Sequence, residues 1–470
     1  MTKDKQFSNT PNWHLALPLF ALVVVVVLVG IASAFAPATP FSSIPRTPQV
    51  TSFQAAFVPY STPIPVPTQT MLPSQSRSLQ LLQSAPECAA SPLTSDEFIA
   101  FAASRLPIDN LYPSHLYQTD IFLMEVTTSD VQPQLCRLTN VGSEEMAYDP
   151  VISPDGSRVA FVGNLATDLP FYAQSATDLF LINIDGSGLV NLTNAPDRQN
   201  QEPDWSPDGQ RLAFNALNLD IAPQASGMVV YSSDLYLLDL NNSGADPYAQ
   251  RLTTWDGWDV APAWSPDGQR IAFRSDRDLT VPPPTPTANP NLSVMGSIAQ
   301  EETFNLFIVE VADQPEVNVQ QVTRTTNTYD NGPPAWSPDG QRLAFTRGYR
   351  PGTLGTPENE LYVIDVDGSN ETLLTPEEEQ ALISHPQWSA DGFQLMAVRG
   401  LISPGGVALS VVPYYGVFGS TGSLLDPAPQ RMSLLFVEMT TMTTTSQLLP
   451  VIPVQAAGLD WFGEAFPPSE

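Results

Sequence analysis

An all-β fold is predicted by three features of this chain of 470 residues. A phrase of the type Trp-Ser-Pro-Asp-Gly recurs at five places, beginning at Ile152, Trp205, Trp264, Trp336 and Trp388. A short apolar run follows each phrase, and Ser-Pro-Asp-Gly favours a tight turn between two strands, because Pro presets φ and Gly accepts a positive φ. The 47 prolines disfavour a mainly helical protein.

Two further strands complete each repeat. A third strand of apolar and aromatic residues follows after a variable gap, as in residues 178–181 and 360–363, and copies such as residues 191–193 add a short fourth strand. Four antiparallel strands at spacings of about 55–73 residues are typical of one blade of a β-propeller. One such unit cannot bury both of its faces, so the repeats are expected to stack around an axis.

The two ends of the repeat region predict six blades. The first unit starts at residues 97–101 without an opening strand, whereas residues 458–463 resemble an opening strand. Together they complete one blade, so we expect a six-bladed propeller over residues 96–466, closed by pairing of its N- and C-terminal strands. A seventh blade would require residues 401–426, which contain no turn phrase of this kind.

The N-terminal region predicts attachment to a membrane. Residues 15–36 form an apolar stretch long enough to cross a bilayer as a helix, and Lys3 and Lys5 precede it. We therefore expect a short cytoplasmic N-terminus over residues 1–14, a transmembrane signal-anchor helix, and a propeller on the extracytoplasmic side of the cell membrane. The alternative is a cleaved signal peptide and a secreted protein, because Ala32-Ser33-Ala34 fits a cleavage site.

A stalk is predicted between this segment and the propeller. Residues 37–95 are rich in Pro, Ser and Thr and nearly uncharged, so they bury too little apolar area to offset the entropy of ordering. Cys88 lies in this segment and Cys136 in the first blade. In an oxidising compartment the two thiols pair and join the stalk to the propeller, and two free thiols are the alternative.

The charge balance excludes one class of partner. The chain has 19 basic and 49 acidic residues, a net charge of −30. Binding to nucleic acid requires Lys and Arg to neutralise phosphates, so no nucleic-acid partner is expected.

The repeats resemble the WD40-like β-propeller repeats of the TolB family, and the resemblance covers residues 96–466. It implies a propeller of the cell envelope. The region before the propeller departs from the family pattern, since a membrane segment and a stalk stand where TolB has a small α/β domain. Similar repeats also precede the peptidase domain of prolyl-oligopeptidase-like enzymes, and no such domain is expected here.

The conspicuous residues of the repeats are interpreted as structural. The recurring Trp residues suit packing between blades, and the Asp of each turn suits hydrogen bonding to nearby backbone. The sequence contains no G-x-S-x-G motif, and it has three histidines in all. We therefore expect no enzyme activity, no metal site and no cofactor.

Binding is expected on the face of the propeller that carries the long loops. This face carries clustered aromatic residues, which suit protein interfaces: Phe171, Tyr172, Trp255, Trp258, Tyr414 and Tyr415. The alternative is that these side chains pack on their own loops. A protein or peptide of the cell envelope is the expected partner, and a cell-wall glycan is the second ligand class.

A second candidate site is the mouth of the central channel on the same face. Three residues before each Trp position stand Asp149, Glu202, Ala261, Pro333, His385 and Gly458. Among these residues, Asp149, Glu202 and His385 have ionisable side chains. An acidic channel mouth attracts cations or basic peptide segments.

The residues therefore predict a membrane-tethered, non-catalytic protein-binding or scaffolding module of the cell envelope. A hydrolase or lyase with its site at the channel mouth is the alternative from another class.

Overall fold

The computed structural model describes the propeller and the residues directly before it. The described residues are 73–95, 97–104, 119–125, 134–142, 145–164, 176–218, 232–242, 246–248, 250–255, 257–277, 304–325, 328–349, 359–375, 381–401, 431–448 and 459–462. The predicted anchor over residues 15–36 lies outside these residues. Within them, no helix combines the length and the apolar character that a bilayer crossing requires.

Six four-stranded antiparallel sheets make up the described part of the chain, which confirms an all-β propeller of six blades. Blade 1 contains β1 (Phe98–Ser104), β2 (Thr119–Glu125), β3 (Leu135–Arg137) and β24 (Leu459–Phe462). Blade 2 contains β4 (Ala147–Ile152), β5 (Arg158–Gly163), β6 (Asp178–Asn183) and β7 (Val190–Asn191). Blade 3 contains β8 (Arg198–Trp205), β9 (Arg211–Asn218), β10 (Ser233–Asp239) and β11 (Gln250–Arg251).

The other three blades follow in the same order along the chain. Blade 4 contains β12 (Asp259–Trp264), β13 (Arg270–Ser275), β14 (Asn305–Glu310) and β15 (Gln320–Gln321). Blade 5 contains β16 (Thr328–Trp336), β17 (Arg342–Tyr349), β18 (Asn359–Asp365) and β19 (Thr372–Leu373). Blade 6 contains β20 (Ala381–Trp388), β21 (Gln394–Leu401), β22 (Arg431–Glu438) and β23 (Thr443–Leu448).

The last strand of the chain belongs to blade 1. β24 pairs antiparallel with β1, so that Phe98 lies opposite Phe462 and Phe101 opposite Leu459. Closure of the whole ring through this pair stays a prediction.

The Ser-Pro-Asp-Gly phrases form the tight turns between the first and second strands. In blade 3, Oδ1 of Asp208 accepts hydrogen bonds from Oγ of Ser206 at 2.6 Å and from the N–H of Gln210 at 3.0 Å. Gly209 has a φ of 66°, which a glycine adopts without strain. These hydrogen bonds lower the pKa of the Asp208 carboxyl. The structural interpretation of the turn aspartates is confirmed.

The recurring Trp residues join neighbouring blades. The indole N–H groups of three of them donate to carbonyl oxygens of the preceding blade: Trp205 to Val151 at 3.1 Å, Trp336 to Ala263 at 3.0 Å and Trp388 to Ala335 at 3.2 Å. An arginine of the preceding blade covers each ring, as Arg270 does over Trp336 at 4.7 Å from the ring centre. The predicted role in packing between blades is confirmed.

The segment before the first blade differs from the predicted disordered stalk. Residues 73–84 form a helix, α1 (Pro73–Ser84), and Leu82 is only 2% exposed. Leu82 packs between Phe101 of blade 1 and Met396 of blade 6. The prediction of disorder is therefore wrong over residues 73–95, because the leucines near the end of α1 find apolar partners that composition alone does not indicate.

A disulfide fixes this segment to blade 1. Cys88 and Cys136 are bonded, with their Cα atoms 4.9 Å apart, and both are buried. The N–H of Cys88 also donates to the carbonyl oxygen of Arg137. Of the two alternatives for these thiols, the structure contains the disulfide.

Candidate functional site at the channel mouth

The first strands of blades 2 to 6 each carry a bulge at the same place. These strands lie against one another around the axis, so the bulges face the central channel. One residue of each bulge has left-handed backbone angles: Asp149, Glu202, Ala261, Gly332 and His385, with φ between 48° and 69°. A non-glycine residue in this region costs on the order of 1–3 kcal/mol, and such strain concentrates at functional sites. The bulges therefore mark the channel mouth as a candidate site.

Blade 5 departs from the predicted alignment. Its bulge lies between Asn331 and Ala335 and is one residue longer than the others. The proline ring fixes φ near −65°, so Pro333 cannot take the left-handed position and Gly332 takes it instead. Gly332, rather than Pro333, is thus the equivalent of Asp149 and Glu202.

Glu202 is held by donors from two blades. Its Oε2 accepts a hydrogen bond from the N–H of Ala261 at 2.8 Å, and the guanidinium of Arg274 lies 3.4 Å from Oε1. The side-chain amide of Asn215, with its nitrogen toward the carboxylate, donates to Oε2 at 2.9 Å. A cation and two N–H donors therefore lie around this carboxyl group.

Asp149 lies in the neighbouring blade and has a different environment. Burial raises the pKa of its carboxyl well above the ordinary value, and the negative charge of Glu202 raises it further. No cation bonds to Asp149 among the described residues. The pair therefore combines a carboxyl whose pKa is raised by burial with a carboxyl that has a cation and N–H donors beside it, and two carboxyls in different environments suit an acid and a base.

His385 does not join this pair. It lies in blade 6, on the opposite side of the ring from Glu202 in blade 3. Burial lowers the pKa of its imidazole to about 4, so the ring is neutral at pH 7. Its Nδ1 has no hydrogen-bond partner among the described residues. Of the three residues predicted at the mouth, the structure brings together Asp149 and Glu202 only.

A second pair of acids lies just beyond the mouth. The N–H of Trp264 donates to Asp204 at 2.6 Å, and the N–H of Ile152 donates to Asp460 at 2.6 Å. Asp460 also accepts a hydrogen bond from the side chain of Gln387. Neither residue was predicted as part of a site, although an Asp directly before Trp in two repeats was a visible signal.

Two of the six aromatic residues predicted on the long-loop face lie in the described part of the chain. Oδ1 of Asp276 accepts from Nε1 of Trp255 at 2.9 Å and from the N–H of Trp258 at 2.8 Å. Both indoles are half-buried. Phe171, Tyr172, Tyr414 and Tyr415 lie outside the described residues, and binding at this face stays a prediction.

The aromatic loop and the channel mouth are connected. Trp258 packs against Phe304, and the guanidinium of Arg274 lies 5.6 Å from the centre of the Phe304 ring. Arg274 is also the cation that contacts Glu202. The repeat pattern predicted two separate regions and no role for Arg274, because the contact with Glu202 depends on how blades 3 and 4 pack.

Metal binding has no candidate in the described ranges. Within them, no three side chains of His, Cys, Asp or Glu converge as ligands of one ion would.

Comparison with known proteins finds a relative of this chain in sequence. The chain is 33% identical over 92 residues to the Tol-Pal system protein TolB of Rickettsia akari, covering 19% of each chain. The chain resembles TolB-like β-propellers. A solved structure of TolB from Acinetobacter baumannii matches 80% of this chain and 69% of its own, at 16% identity and a TM-score of 0.47. No protein-family model matches the chain.

A second group of relatives changes the functional prediction. The chain is 24% identical over 264 residues to Dipeptidyl-peptidase 5 of Porphyromonas endodontalis, which is 51% of this chain and 35% of the relative. The chain thus spans about a third of the length of that relative. The prediction that the chain is not an enzyme is contradicted by relatives that are named as peptidases.

Proposed function

We propose that this propeller is a hydrolase of peptides, with its site at the channel mouth. The observation that carries the proposal is the contrast between Asp149 and Glu202, which occupy equivalent bulges in neighbouring blades. Arg274 and two N–H donors contact the carboxyl group of Glu202, whereas Asp149 has no cation bonded to it among the described residues and burial raises the pKa of its carboxyl. General acid–base catalysis uses two such groups in different environments.

The proposed reaction uses these two groups. Glu202 takes a proton from a water molecule as the water oxygen attacks the peptide carbonyl carbon. The bond between that carbon and the amide nitrogen then breaks, and Asp149 donates its proton to the leaving nitrogen. The products are a carboxylic acid and an amine, and a proton passed from Glu202 to Asp149 restores the starting states.

Peptides with basic residues are the substrates that the charge favours. The net charge of −30 attracts cationic segments, and Asp149 and Glu202 are acidic residues at the channel mouth. The relatives that are named as peptidases support a peptide substrate over a sugar polymer.

The site of action is proposed to be the cell envelope. A disulfide such as Cys88–Cys136 is typical of an oxidising compartment, and the relative TolB is named as a Tol-Pal system protein. Envelope proteins or their exposed peptide segments are then the natural partners, and the predicted N-terminal helix would hold the propeller at the membrane.

Cleavage of internally quenched peptides that contain Lys or Arg tests the proposal. The full chain, with its disulfide intact, is compared with Asp149→Asn and Glu202→Gln. Each substitution is expected to lower kcat/KM by on the order of 100-fold or more, because it removes one proton-transfer group.

Asp185→Asn is the matched control, because Asp185 lies in an exposed hairpin turn away from the channel and should not affect cleavage. Cleavage by both site variants at the parent rate would overturn the assignment of these residues. Cleavage of envelope oligosaccharides in place of peptides would overturn the substrate class, and no hydrolysis of either would overturn the proposal as a whole.

A further inference from the structure

The outer edge of blade 6 differs from the outer edges of the other blades. Its edge strand, β23, has six residues and pairs with β22 along its whole length. The edge strands of blades 2 to 5 have two residues each, and β3 of blade 1 has three. No second strand of the described residues pairs with β23. Blade 6 therefore has the longest outer edge strand of the six described blades.

The edge of blade 1 already carries an added segment. Glu87 forms a parallel bridge with Arg137 of β3. The N–H of Arg137 donates to the carbonyl oxygen of Pro86 at 2.7 Å, and the N–H of Cys88 donates to the carbonyl oxygen of Arg137 at 3.0 Å. An extended segment thus lies along the edge of this blade through backbone hydrogen bonds, which is the mode of β-strand addition.

The free backbone groups of β23 follow from the pairing on the other side of β22. The N–H of Met439 donates to the carbonyl oxygen of Phe393, so the backbone groups of Met439 point toward the β21 side. Backbone groups alternate in direction along an antiparallel strand, so those of Val437 also point toward β21. Thr444 lies opposite Val437. The N–H and carbonyl groups of Thr444 therefore point away from the sheet.

β23 lacks the features that block pairing with another chain. Its sequence is Thr-Thr-Thr-Ser-Gln-Leu, with no charge, no proline and no glycine. Natural edge strands avoid such pairing by short length, charged side chains or proline. Threonine favours extended backbone, and Thr443, Thr444 and Thr445 are exposed. β23 is therefore an open template for an added strand.

Two exposed apolar side chains lie at one end of β23. Phe393 is 57% exposed, and Met442, directly before β23, is 45% exposed. Phe393 follows the tight turn of blade 6, where the other repeats carry a polar residue: Ser157, Gln210, Gln269 and Gln341. Phe and Met are enriched at protein interfaces. Their exposure beside an open strand edge favours contact with a partner.

The charges at this end of β23 are negative. Oδ1 of Asp391 accepts a hydrogen bond from the N–H of Phe393 at 3.0 Å, and the carbonyl oxygen of Glu438 accepts one from the N–H of Met442 at 2.8 Å. No other residue between Glu438 and Leu448 is charged. Together with the net charge of −30, these carboxyl groups attract a cationic segment and disfavour a second copy of this chain.

We propose that β23, Phe393 and Met442 form a docking site for an extended, cationic segment of a partner protein. The segment adds to blade 6 as a fifth strand, and its backbone bonds to the outward N–H and carbonyl groups of Thr444. Its apolar side chains cover Phe393 and Met442. This docking site is separate from the channel mouth and does not depend on peptide hydrolysis.

Fluorescence anisotropy of a labelled peptide of alternating Val and Lys tests the docking site. The full chain carries Glu202→Gln throughout, so that the proposed hydrolase does not consume the probe. Thr444→Pro removes the outward N–H and keeps the bonds to β22, since proline is tolerated where the N–H of an edge strand faces solvent. We expect it to raise Kd by about 10-fold or more.

Thr444→Val keeps the N–H and is the matched control for the proline variant. It should leave Kd within about twofold of the value before substitution. Unchanged binding in Thr444→Pro, or an equal loss in Thr444→Val, would overturn the proposal.

The apolar side chains are tested against an exposed apolar residue of another blade. Phe393→Gln introduces the residue type of three other repeats and should raise Kd by about 10-fold. Val190→Thr is the control, because Val190 is 51% exposed on the two-residue strand β7 of blade 2, and it should leave Kd unchanged. Equal effects of the two would overturn the role of Phe393. Tighter binding of a probe with Glu in place of Lys would overturn the cationic partner.

Hydrogen exchange, measured by mass spectrometry, locates the bound probe without use of activity. We expect the probe to slow exchange in residues 443–448, and not in Thr444→Pro. Slower exchange only in the first strands of the blades would overturn docking at β23 and leave the proposed function intact. Self-association of the chain that Thr444→Pro abolishes, measured by ultracentrifugation without probe, would overturn the cationic partner in favour of a second copy.

Discussion

The carboxylate of Asp204 accepts a hydrogen bond of 2.6 Å from the backbone N–H of Trp264 in the next blade. Burial raises the pKa of this carboxyl to about 7, and the nearby Asp460 adds to the effect. Asp460 forms the equivalent bond to the N–H of Ile152. The carboxyl groups of Asp204 and Asp460 thus join inner strands of neighbouring blades.

The contribution of Asp204 to the free energy of unfolding should therefore fall as pH rises. Because the folded state holds the proton of Asp204 more tightly than the unfolded chain, the contribution of this group is complete below pH 4 and is lost as pH rises through about 7. Asp204→Asn keeps an acceptor for Trp264 and removes the charge. We expect it to raise the unfolding temperature by a few degrees at pH 8 and to change it little at pH 4. A uniform effect at both pH values, measured by calorimetry, would contradict this account.

The indole hydrogen bonds between blades make a second prediction with an internal control. Trp336 donates to Ala263, whereas Nε1 of Trp264 is buried and has no partner among the described residues. Both rings are similarly buried, and both are covered by an arginine. Trp336→Phe should cost about 1 kcal/mol more in free energy of unfolding than Trp264→Phe, as measured by urea denaturation. Equal costs would show that the indole bond contributes nothing.

Much of the fold could be predicted from the sequence, because each repeat contains the residues that form its tight turn. Asp208 and Gly209 determine the turn locally, so the blades follow from short segments. The contact between Leu82 and blade 6 could not be predicted in this way, since it joins residues far apart in the chain. The same holds for the site. The repeat alignment identified Asp149 and Glu202, but their different environments depend on Arg274 in another blade.

Removal of the disulfide tests the attachment of the N-terminal segment. Cys88 and Cys136 are 48 residues apart, and closing a loop of this length stabilises a protein by about 2–4 kcal/mol. Replacing both cysteines with serine should lower the unfolding temperature and increase proteolysis near α1. Mass spectrometry of the untreated protein should show the bond. Parent-like stability in the double variant would contradict a stabilising role.

Truncation after Leu448 tests ring closure. This change removes β24, and with it the partner strand of β1 and the carboxylate of Asp460 that bonds to Ile152. We expect loss of cooperative unfolding, observed by calorimetry, since the inner edge of blade 1 is left unpaired. Asp460→Asn serves as the milder variant and should lower stability without loss of cooperativity. A truncated protein that unfolds like the parent would exclude closure by this strand.

The most direct test of the central claim is a crystal structure of the Glu202→Gln variant with a bound peptide that contains arginine. We expect a peptide bond at the channel mouth, with the carbonyl oxygen or the amide nitrogen within hydrogen-bond distance of Asp149. A peptide bound to the face of the Ser-Pro-Asp-Gly turns, or to an outer edge of a blade, would contradict it.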